Sequence, residues 1–239
     1  MKPILDWNVY EDTARKTIAE GCVLLENNGV LPLKKDSTVS VFGRIQTNYY
    51  KSGTGSGGKV NVAKVWNIVE GLEESGFVKV NQNLKKVYQD WEKENPYDEG
   101  MGWGKERWSQ DEMPLTKELV ADAAAKSDVA IVIIGRTAGE DKDNSATKGS
   151  YFLTDEELDM LKQVRAGFDK VAVLLNVGSP LALNETKLAL LLSFKALAAT
   201  GIYVLVVVVV LPPKPLETRS PVFVRCEPAL SVGSSSKSK

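Results

Sequence analysis

The amino-acid sequence predicts an α/β fold, a three-layer α/β/α sandwich with a mostly parallel sheet. Two short, unbroken apolar runs carry this prediction, Val129–Ile134 and Val171–Leu175. A strand that is apolar on both faces is typical of a parallel sheet covered by helices on both sides. Amphipathic segments alternate with short strands along the chain, which is the pattern of α/β layering. We therefore expect the two runs to be adjacent central strands.

The first half of the chain follows this alternation. A helix is predicted from about Val9 to Leu25, because Ala14, Ile18 and Cys22 recur at three- and four-residue spacing. Cys22 is then expected to be a buried thiol on the apolar face of that helix. The elements predicted next are a strand over Val39–Phe42, a helix over Ala63–Ser75, a strand over Phe77–Val80 and a helix over Asn83–Asn95.

The second half supplies the two central strands and their helices. A helix over about Thr116–Ser127 precedes the run Val129–Ile134. A long polar loop follows, and the residues Thr154-Asp-Glu-Glu157 then open a helix with the pattern of a capping box. This helix leads to the second run, Val171–Leu175, which ends in Asn-Val-Gly-Ser.

Composition excludes several classes of function. The chain has 30 basic and 31 acidic residues, and this balance gives no support to a nucleic-acid partner. It has no histidine, which removes Ser-His-Asp and Cys-His nucleophiles and histidine-ligated metals. Its two cysteines are too few for a disulfide scaffold or a zinc site. We predict neither a metal nor a cofactor.

The last part of the chain differs in character from the rest. The longest apolar run, Val204–Leu211, is too short to span a bilayer as a helix, so no membrane partner is predicted. The N-terminus lacks the apolar core of a secretory signal, and the expected location is the cytoplasm. Residues 212–239 are rich in Pro and Ser and are predicted to be disordered. An uncharged valine run of this kind favours self-association when it is exposed.

The loop after the first central strand is the main candidate for a functional site. Ligands of α/β sheets bind at the carboxyl ends of the strands. Glu140, Asp141 and Asp143 lie in this loop, and Gly139 permits a close approach of the backbone. The alternative interpretation is a solvated, charged surface loop.

Two sequence strings make the resemblance to a known family specific. "GCVLLENNGVLPL" (Gly21 to Leu33) resembles the opening of the α/β sandwich domain of glycoside hydrolase family 3. "IGRTAGEDKDN", followed by "KGSYFLTDEELDML", resembles the acid/base loop of that domain. With "NYYKSGTGSGG" and "VAVLLNVG", the resemblance covers residues 6–178. The resemblance implies a β-glucosidase-type hydrolase, with a β-glucoside or short oligosaccharide as the expected substrate.

The resemblance also implies a division of catalytic labour. In this family a (β/α)8 barrel carries an aspartate nucleophile, and the sandwich domain lends a glutamate as the general acid/base. Matching by position assigns that glutamate to Glu140. A retaining glycosidase needs two carboxyl groups roughly 5–5.5 Å apart, and neither catalytic step needs histidine or metal. Asp141 and Asp143 are the rival acids, and we interpret them as loop-stabilising or substrate-side groups.

A glycine-rich segment and two tryptophans are weaker candidates. Gly53 and Gly55 lie too far from the preceding strand for a dinucleotide fingerprint, and the resemblance places their loop near the sugar. A plain flexible turn is the alternative. Trp103 and Trp108 have the chemistry to stack on sugar rings, although an aromatic in an irregular segment more often covers the core.

The domain organisation departs from the family pattern in two ways. A (β/α)8 barrel of about 250 residues does not fit beside the sandwich, and the N-terminus resembles members with reversed domain order, sandwich first. We therefore expect a sandwich over residues 6–178, a divergent helix and strand segment over 179–211 and the tail over 212–239. Without a barrel the chain is expected to be inactive. The alternative is a sugar-binding or structural module without turnover.

Overall fold

The computed structural model describes residues 5–50, 65–102, 105–139, 143–178 and 181–182, and the backbone of residues 206–211. The helices in this part of the chain are α1 (Trp7–Gly21), α2 (Ile68–Ser75), α3 (Gln82–Glu94), α4 (Lys117–Ala125) and α5 (Asp155–Gly167). The strands are β1 (Val23–Glu26), β2 (Thr38–Phe42), β3 (Lys79–Val80), β4 (Val129–Arg136), β5 (Val171–Val177) and β6 (Val206–Leu211).

The described strands form one mostly parallel sheet in the order β1-β6-β5-β4-β2-β3. β4 lies between β2 and β5 and is parallel to both. β6 is antiparallel to β5 and parallel to β1. The two apolar runs of the sequence are therefore adjacent strands, as predicted, and every residue of β4 is buried.

Helices cover both faces of the sheet, which confirms the three-layer fold. On one face, α3, α4 and α5 pack against β4 and β5 around Tyr88, Val132 and Met160. On the other face, α2 packs through Val69 against Val41 and Ile133. Because neighbouring residues of a strand point to opposite faces, the continuous apolar run of β4 fills both layers of core.

The capping residues predict the ends of a helix more accurately than the spacing of apolar residues does. Asn67 caps α2 in a reciprocal capping box with Glu70, and Gly76 ends the helix in the left-handed conformation, at φ 60°. This helix therefore begins at Ile68 and not at Ala63; residues 65–67 precede it, and residues 63–64 lie outside the described part. A side-chain oxygen at the N-cap satisfies an amide that the first turn leaves without a partner.

The first helix is shorter than predicted, and the environment of Cys22 was predicted wrongly. α1 ends at Gly21, and the next residues form β1, whose backbone pairs with β6. Val23 and Leu25 of β1 pack against the core whereas Leu24 is exposed. Burial therefore alternates with the two-residue period of a strand. Cys22 is exposed because it lies at the helix end in an extended conformation.

The described part of the valine run, residues 206–211, lies inside the sheet. Residues 206–211 pair with β5 on one side and with β1 on the other, so the outer strands of the described sheet are β1 and β3. The tail over 212–239 and most of the segment 179–211 lie outside the described residues. Among the helices that are described, none has the length and apolarity to cross a membrane.

Candidate active site

Buried polar side chains gather where β2, β4 and β5 end, which we call the carboxyl edge. The chain leaves β4 there through the loop of residues 137–154 that leads to α5, and it leaves β2 through a 3₁₀ turn, Arg44–Gln46. The buried polar residues at this edge are Arg44, Gln46, Glu112, Arg136, Thr137, Ser150, Glu157 and Asn176. Ligand sites of α/β sheets form at such an edge.

Arg136, the last residue of β4, ties the loop to α5. Its side chain is 1% exposed, and its guanidinium forms a two-pronged ion pair with Glu157, with N–O distances of 2.6 and 2.7 Å. The remaining N–H groups donate to the backbone carbonyls of Ser150 at 3.0 Å, Phe152 at 3.2 Å and Gly135 at 2.8 Å. All five guanidinium donors therefore have acceptors.

Glu157 forms the ion pair and also caps the start of α5. Its carboxylate accepts the backbone N–H of Thr154 at 2.8 Å, while the Thr154 hydroxyl oxygen accepts the N–H of Glu157 at 3.1 Å. This is the capping box that the sequence predicts. One carboxylate thus joins the end of β4, the end of the loop and the first turn of α5.

Other hydrogen bonds fix the described parts of the loop. The Thr137 hydroxyl donates to the carbonyl of Arg107 at 2.7 Å, and the Thr137 N–H donates to that of Trp108 at 2.9 Å. Further along, the backbone N–H of Ser145 donates to the hydroxyl oxygen of Ser150 at 3.1 Å. The loop is therefore held on both sides of residues 140–142.

The end of β2 forms the neighbouring wall of the edge. Gly43 has φ 100°, and a side chain there would collide with the carbonyl oxygen of Ile133 in β4. Its N–H donates to the hydroxyl oxygen of Tyr88 at 2.9 Å. Glycine is needed because the positive φ and the close approach to β4 both exclude a Cβ.

Glu112 lies buried beneath this turn. Its two oxygens accept the backbone N–H of Arg44 at 3.0 and 3.1 Å, and one also accepts the N–H of Met113 at 2.8 Å. Burial raises the pKa of Glu112 to about 8, against the lowering effect of those two N–H groups. The Arg44 guanidinium lies 4.9 Å from the ring centroid of Trp91 and donates to the carbonyl of Asp111.

The described carboxylates of the edge differ in accessibility. Glu112 and Glu157 are both buried and hydrogen-bonded within the domain. Neither can reach a glycosidic oxygen outside the domain. Asp143 is exposed on the loop. The described carboxylate of the loop of residues 137–154 is thus open to solvent, in contrast to the two buried ones.

Most of the residues that the sequence analysis assigned to a site lie outside the described part. These are Glu140, Asp141, Gly53, Gly55 and Trp103, so their assignments stay predictions. Gly139 is half-buried, and Trp108 is half-buried beside the start of the loop. Within the described ranges, no group of three acidic or cysteine side chains is arranged to hold a metal ion.

The sequence analysis did not single out the buried charges Arg44, Glu112 and Arg136, and it recognised Glu157 only as a helix cap. One signal was available for Arg136. An arginine two residues after a fully apolar run lies close to the interior, and a buried arginine needs a buried partner. The sequence offers several nearby carboxylates, and only the folded chain selects Glu157.

The fold and the carboxylate-bearing loop at the carboxyl edge define an α/β sandwich domain with a candidate ligand site, and comparison with known proteins gives its family. Residues 22–212 match the family model described as the glycosyl hydrolase family 3 C-terminal domain. The chain belongs to glycosyl hydrolase family 3. The match begins after α1 and includes the valine run, and the boundaries at residues 178 and 211 remain predictions.

The relatives are β-glucosidases. A β-glucosidase of Ruminococcus albus is 59% identical over 175 residues, which are 73% of this chain and 18% of the relative. Beta-glucosidase A of Butyrivibrio fibrisolvens is 32% identical over 183 residues, 66% of this chain and 21% of the relative. The chain thus spans about a fifth of the length of these curated relatives.

Solved structures agree with the sequence relatives. A β-glucosidase from Paenibacillus barengoltzii has a TM-score of 0.70 at 53% identity, over 72% of this chain and 19% of that one. The β-glucosidase 3B of Thermotoga neapolitana in complex with glucose has a TM-score of 0.67 at 34% identity, over 74% and 25% of the respective chains. The family resemblance predicted from the sequence is confirmed.

Proposed function

We propose that this chain supplies the general acid/base of a retaining β-glucosidase and that Glu140 is that group. The observation that carries the proposal is the difference among the carboxylates of the carboxyl edge. Glu112 and Glu157 are buried and engaged, whereas Asp143, the described carboxylate of the loop that carries Glu140, is exposed to solvent. An acid/base must reach an incoming glycosidic oxygen, so a permanently paired carboxylate is unsuited to the role.

The proposed reaction has two steps. A carboxylate nucleophile attacks the anomeric carbon while Glu140 gives its proton to the leaving oxygen, and the glycosidic bond breaks. Glu140, now a carboxylate, then takes a proton from water, which attacks the glycosyl–enzyme bond and releases the sugar. Asp143 and the loop with Gly53 and Gly55 are the proposed substrate contacts.

The nucleophile is proposed to come from a (β/α)8 barrel outside this chain. The sandwich accounts for the described core, and a barrel of about 250 residues would need a further domain. A chain that spans 18% and 21% of its β-glucosidase relatives is consistent with such a division. We therefore expect the purified chain to show no multiple-turnover hydrolysis of aryl β-glucosides.

The test combines the full chain with the Ruminococcus albus β-glucosidase from which the matching 175-residue segment has been removed. Hydrolysis of cellobiose and of 2,4-dinitrophenyl β-glucoside is measured for each component and for the mixture. We expect activity in the mixture alone. Multiple turnovers by the chain alone would mean that it holds its own nucleophile.

Glu140→Ala then tests the acid/base role in the active mixture. Loss of a general acid costs about 10²–10⁴-fold, so cellobiose hydrolysis should fall by that order. Bond cleavage in the dinitrophenyl glucoside needs no acid and should fall far less. Azide should restore turnover of this substrate and give β-glucosyl azide, because it attacks without a general base. Asp141→Ala and Asp143→Ala are the matched controls.

Two outcomes contradict the proposal. Equal losses on both substrates, without rescue by azide, would mean that Glu140 is not the acid/base. Glucose binding by the chain, with no hydrolysis in any mixture, would favour a sugar-binding module.

A further inference from the structure

The ion pair between Arg136 and Glu157 is buried at the carboxyl edge. Their side chains are 1% and 7% exposed. Removing two charges from water carries a desolvation cost that often cancels their attraction, and apolar replacements of such pairs are often neutral or stabilising. The pair therefore calls for an explanation in terms of what it holds in place.

The contacts of the pair converge on the two ends of one loop. Arg136 is the residue before the loop, and its guanidinium binds the carbonyls of Ser150 and Phe152 near the loop's far end. Glu157 fixes the same guanidinium and also the N–H of Thr154. The Arg136–Glu157 pair, which we call the clamp, thus joins the end of β4 to the start of α5.

We propose that Arg136 and Glu157 are positioning residues for the acid/base loop; this inference rests on the proposed function of Glu140. Glu140 is four residues after Arg136 in the sequence. Neither member of the pair is placed to touch the substrate, since both are buried. Their role is to hold the ends of the loop so that its acid reaches the same place in each turnover. A displacement of about 1 Å from a reacting geometry can cost about 10²-fold.

The first variant is Glu157→Gln, which keeps the shape and the capping hydrogen bonds but removes the charge. In the reconstituted enzyme, kcat/KM for cellobiose, which reports the acid-assisted first step, should fall by about 10- to 100-fold, and kcat/KM for the dinitrophenyl glucoside by less than about threefold. In the chain alone, amide hydrogen exchange of Gly149, Ser150 and Phe152 should accelerate by about tenfold or more, because loosening the clamp raises the population of the locally open state.

A matched control lies in the same turn of α5. Asp155 forms an exposed ion pair with Lys148 at 2.7 Å, with side chains 71% and 54% exposed. Asp155→Asn removes a charge from the same helix start without touching the clamp. It should leave unchanged both the ratio of the activities on the two substrates and the hydrogen exchange of the loop amides.

A second variant guards against simple misfolding. Combining Arg136→Met with Glu157→Gln removes both charges and leaves no unpaired buried ion. The urea midpoint of this double variant should therefore lie closer to that of the unmodified chain than the midpoint of Glu157→Gln does. The double variant still lacks the bonds to the loop carbonyls. We expect the same selective loss on cellobiose and the same rapid loop exchange.

The outcomes separate this inference from the proposed function. Suppose that Glu140→Ala shows the leaving-group effect, but the clamp variants lower the hydrolysis of both substrates in proportion to their loss of folded protein. The clamp is then merely structural. Unchanged loop exchange in the clamp variants would overturn the inference by itself. If Glu140→Ala shows no leaving-group effect, the proposed function fails and the positioning role fails with it.

Discussion

α1 and α5 are helices of similar length, 15 and 13 residues, whose environments differ completely. Both begin at a residue whose side chain caps the first turn, Asp6 in α1 and Thr154 in α5. α5 buries six of its residues against the sheet, and α1 buries none. On α1, Trp7 and Ile18 are 65% and 55% exposed although they repeat at helical spacing.

The comparison separates the local formation of a helix from its contribution to the fold. Isolated helices of about 12–15 residues are marginal in water, and most helical stability in proteins comes from packing of the apolar face. α1 has exposed ion pairs, Arg15–Glu11 and Lys16–Asp12, which contribute little. A change in the region around α5 should therefore alter global stability, whereas the same kind of change in α1 should not.

The largest expected effect concerns pH and the buried carboxyl group of Glu112. Burial raises its pKa from 4.5 to about 8 in the folded chain, so between these values the folded state holds a proton that the unfolded state has released. Stability from this group is therefore lost as the pH rises, by roughly 3–4 kcal/mol between pH 5 and 8. Urea unfolding of Glu112→Gln across this range should lack that loss.

A matched variant in α1 gives the control for the pH effect. Glu11→Gln removes an exposed carboxylate, 60% of whose side-chain surface is in solvent. Its pH dependence should follow that of the unmodified chain. Parallel curves for Glu112→Gln and the unmodified chain would show that Glu112 is not responsible.

Next in size is a cavity in the core beneath α5. Met160 is fully buried, and its sulfur lies 4.0 Å from the Tyr88 hydroxyl oxygen. Met160→Ala should reduce the free energy of unfolding by about 3 kcal/mol, from lost apolar contact and from the cavity left behind. The measurement is the urea midpoint at constant slope. A loss below about 1 kcal/mol would mean that this part of the core collapses to fill the space.

A smaller and more discriminating effect comes from the two helix caps. Thr154→Ala should cost about 1 kcal/mol in global stability, since the first turn of α5 unfolds only with the domain. Asp6→Ala removes the equivalent cap of α1, whose oxygen accepts the N–H groups of Asn8 and Val9. It should reduce helix content by circular dichroism and leave the urea midpoint in place. Equal midpoint shifts would show that α1 is coupled to the core.

The smallest expected effect is that of Ile18→Ser on the exposed stripe of α1. A substitution on a surface without buried contacts usually changes the free energy of unfolding by no more than about 0.5 kcal/mol. The urea midpoint should therefore coincide with that of the unmodified chain. A loss comparable to that of Met160→Ala would reveal that this face is covered in solution.

Much of this fold could be predicted from sequence because its signals are local. The unbroken apolar runs of β4 and β5 and the capping box of α5 each lie within a few residues of chain. The family strings placed the polar loop after β4. The β1 segment was misassigned because Leu25 follows Ile18 and Cys22 at the four- and three-residue spacing of a helical face.

The candidate site was predictable only in part. Sequence indicated the loop and its carboxylates, since their position after a buried strand is a property of the chain order. It did not distinguish a buried carboxylate from an accessible one. Glu112 differs from an exposed glutamate through its contact with the backbone of Arg44, which lies 68 residues earlier.

The sequence by itself determined the layer architecture, the central strands and the family. Apolar periodicity, helix caps and sequence motifs are all properties of residues that are close together in the sequence, so they can be recognised without the tertiary structure. The tertiary structure alone decided the end of α1, the exposure of Cys22 and the partner of Arg136. Burial and charge pairing depend on which distant segments meet, and Arg136 meets Glu157 across 21 residues only because β4 and α5 pack together.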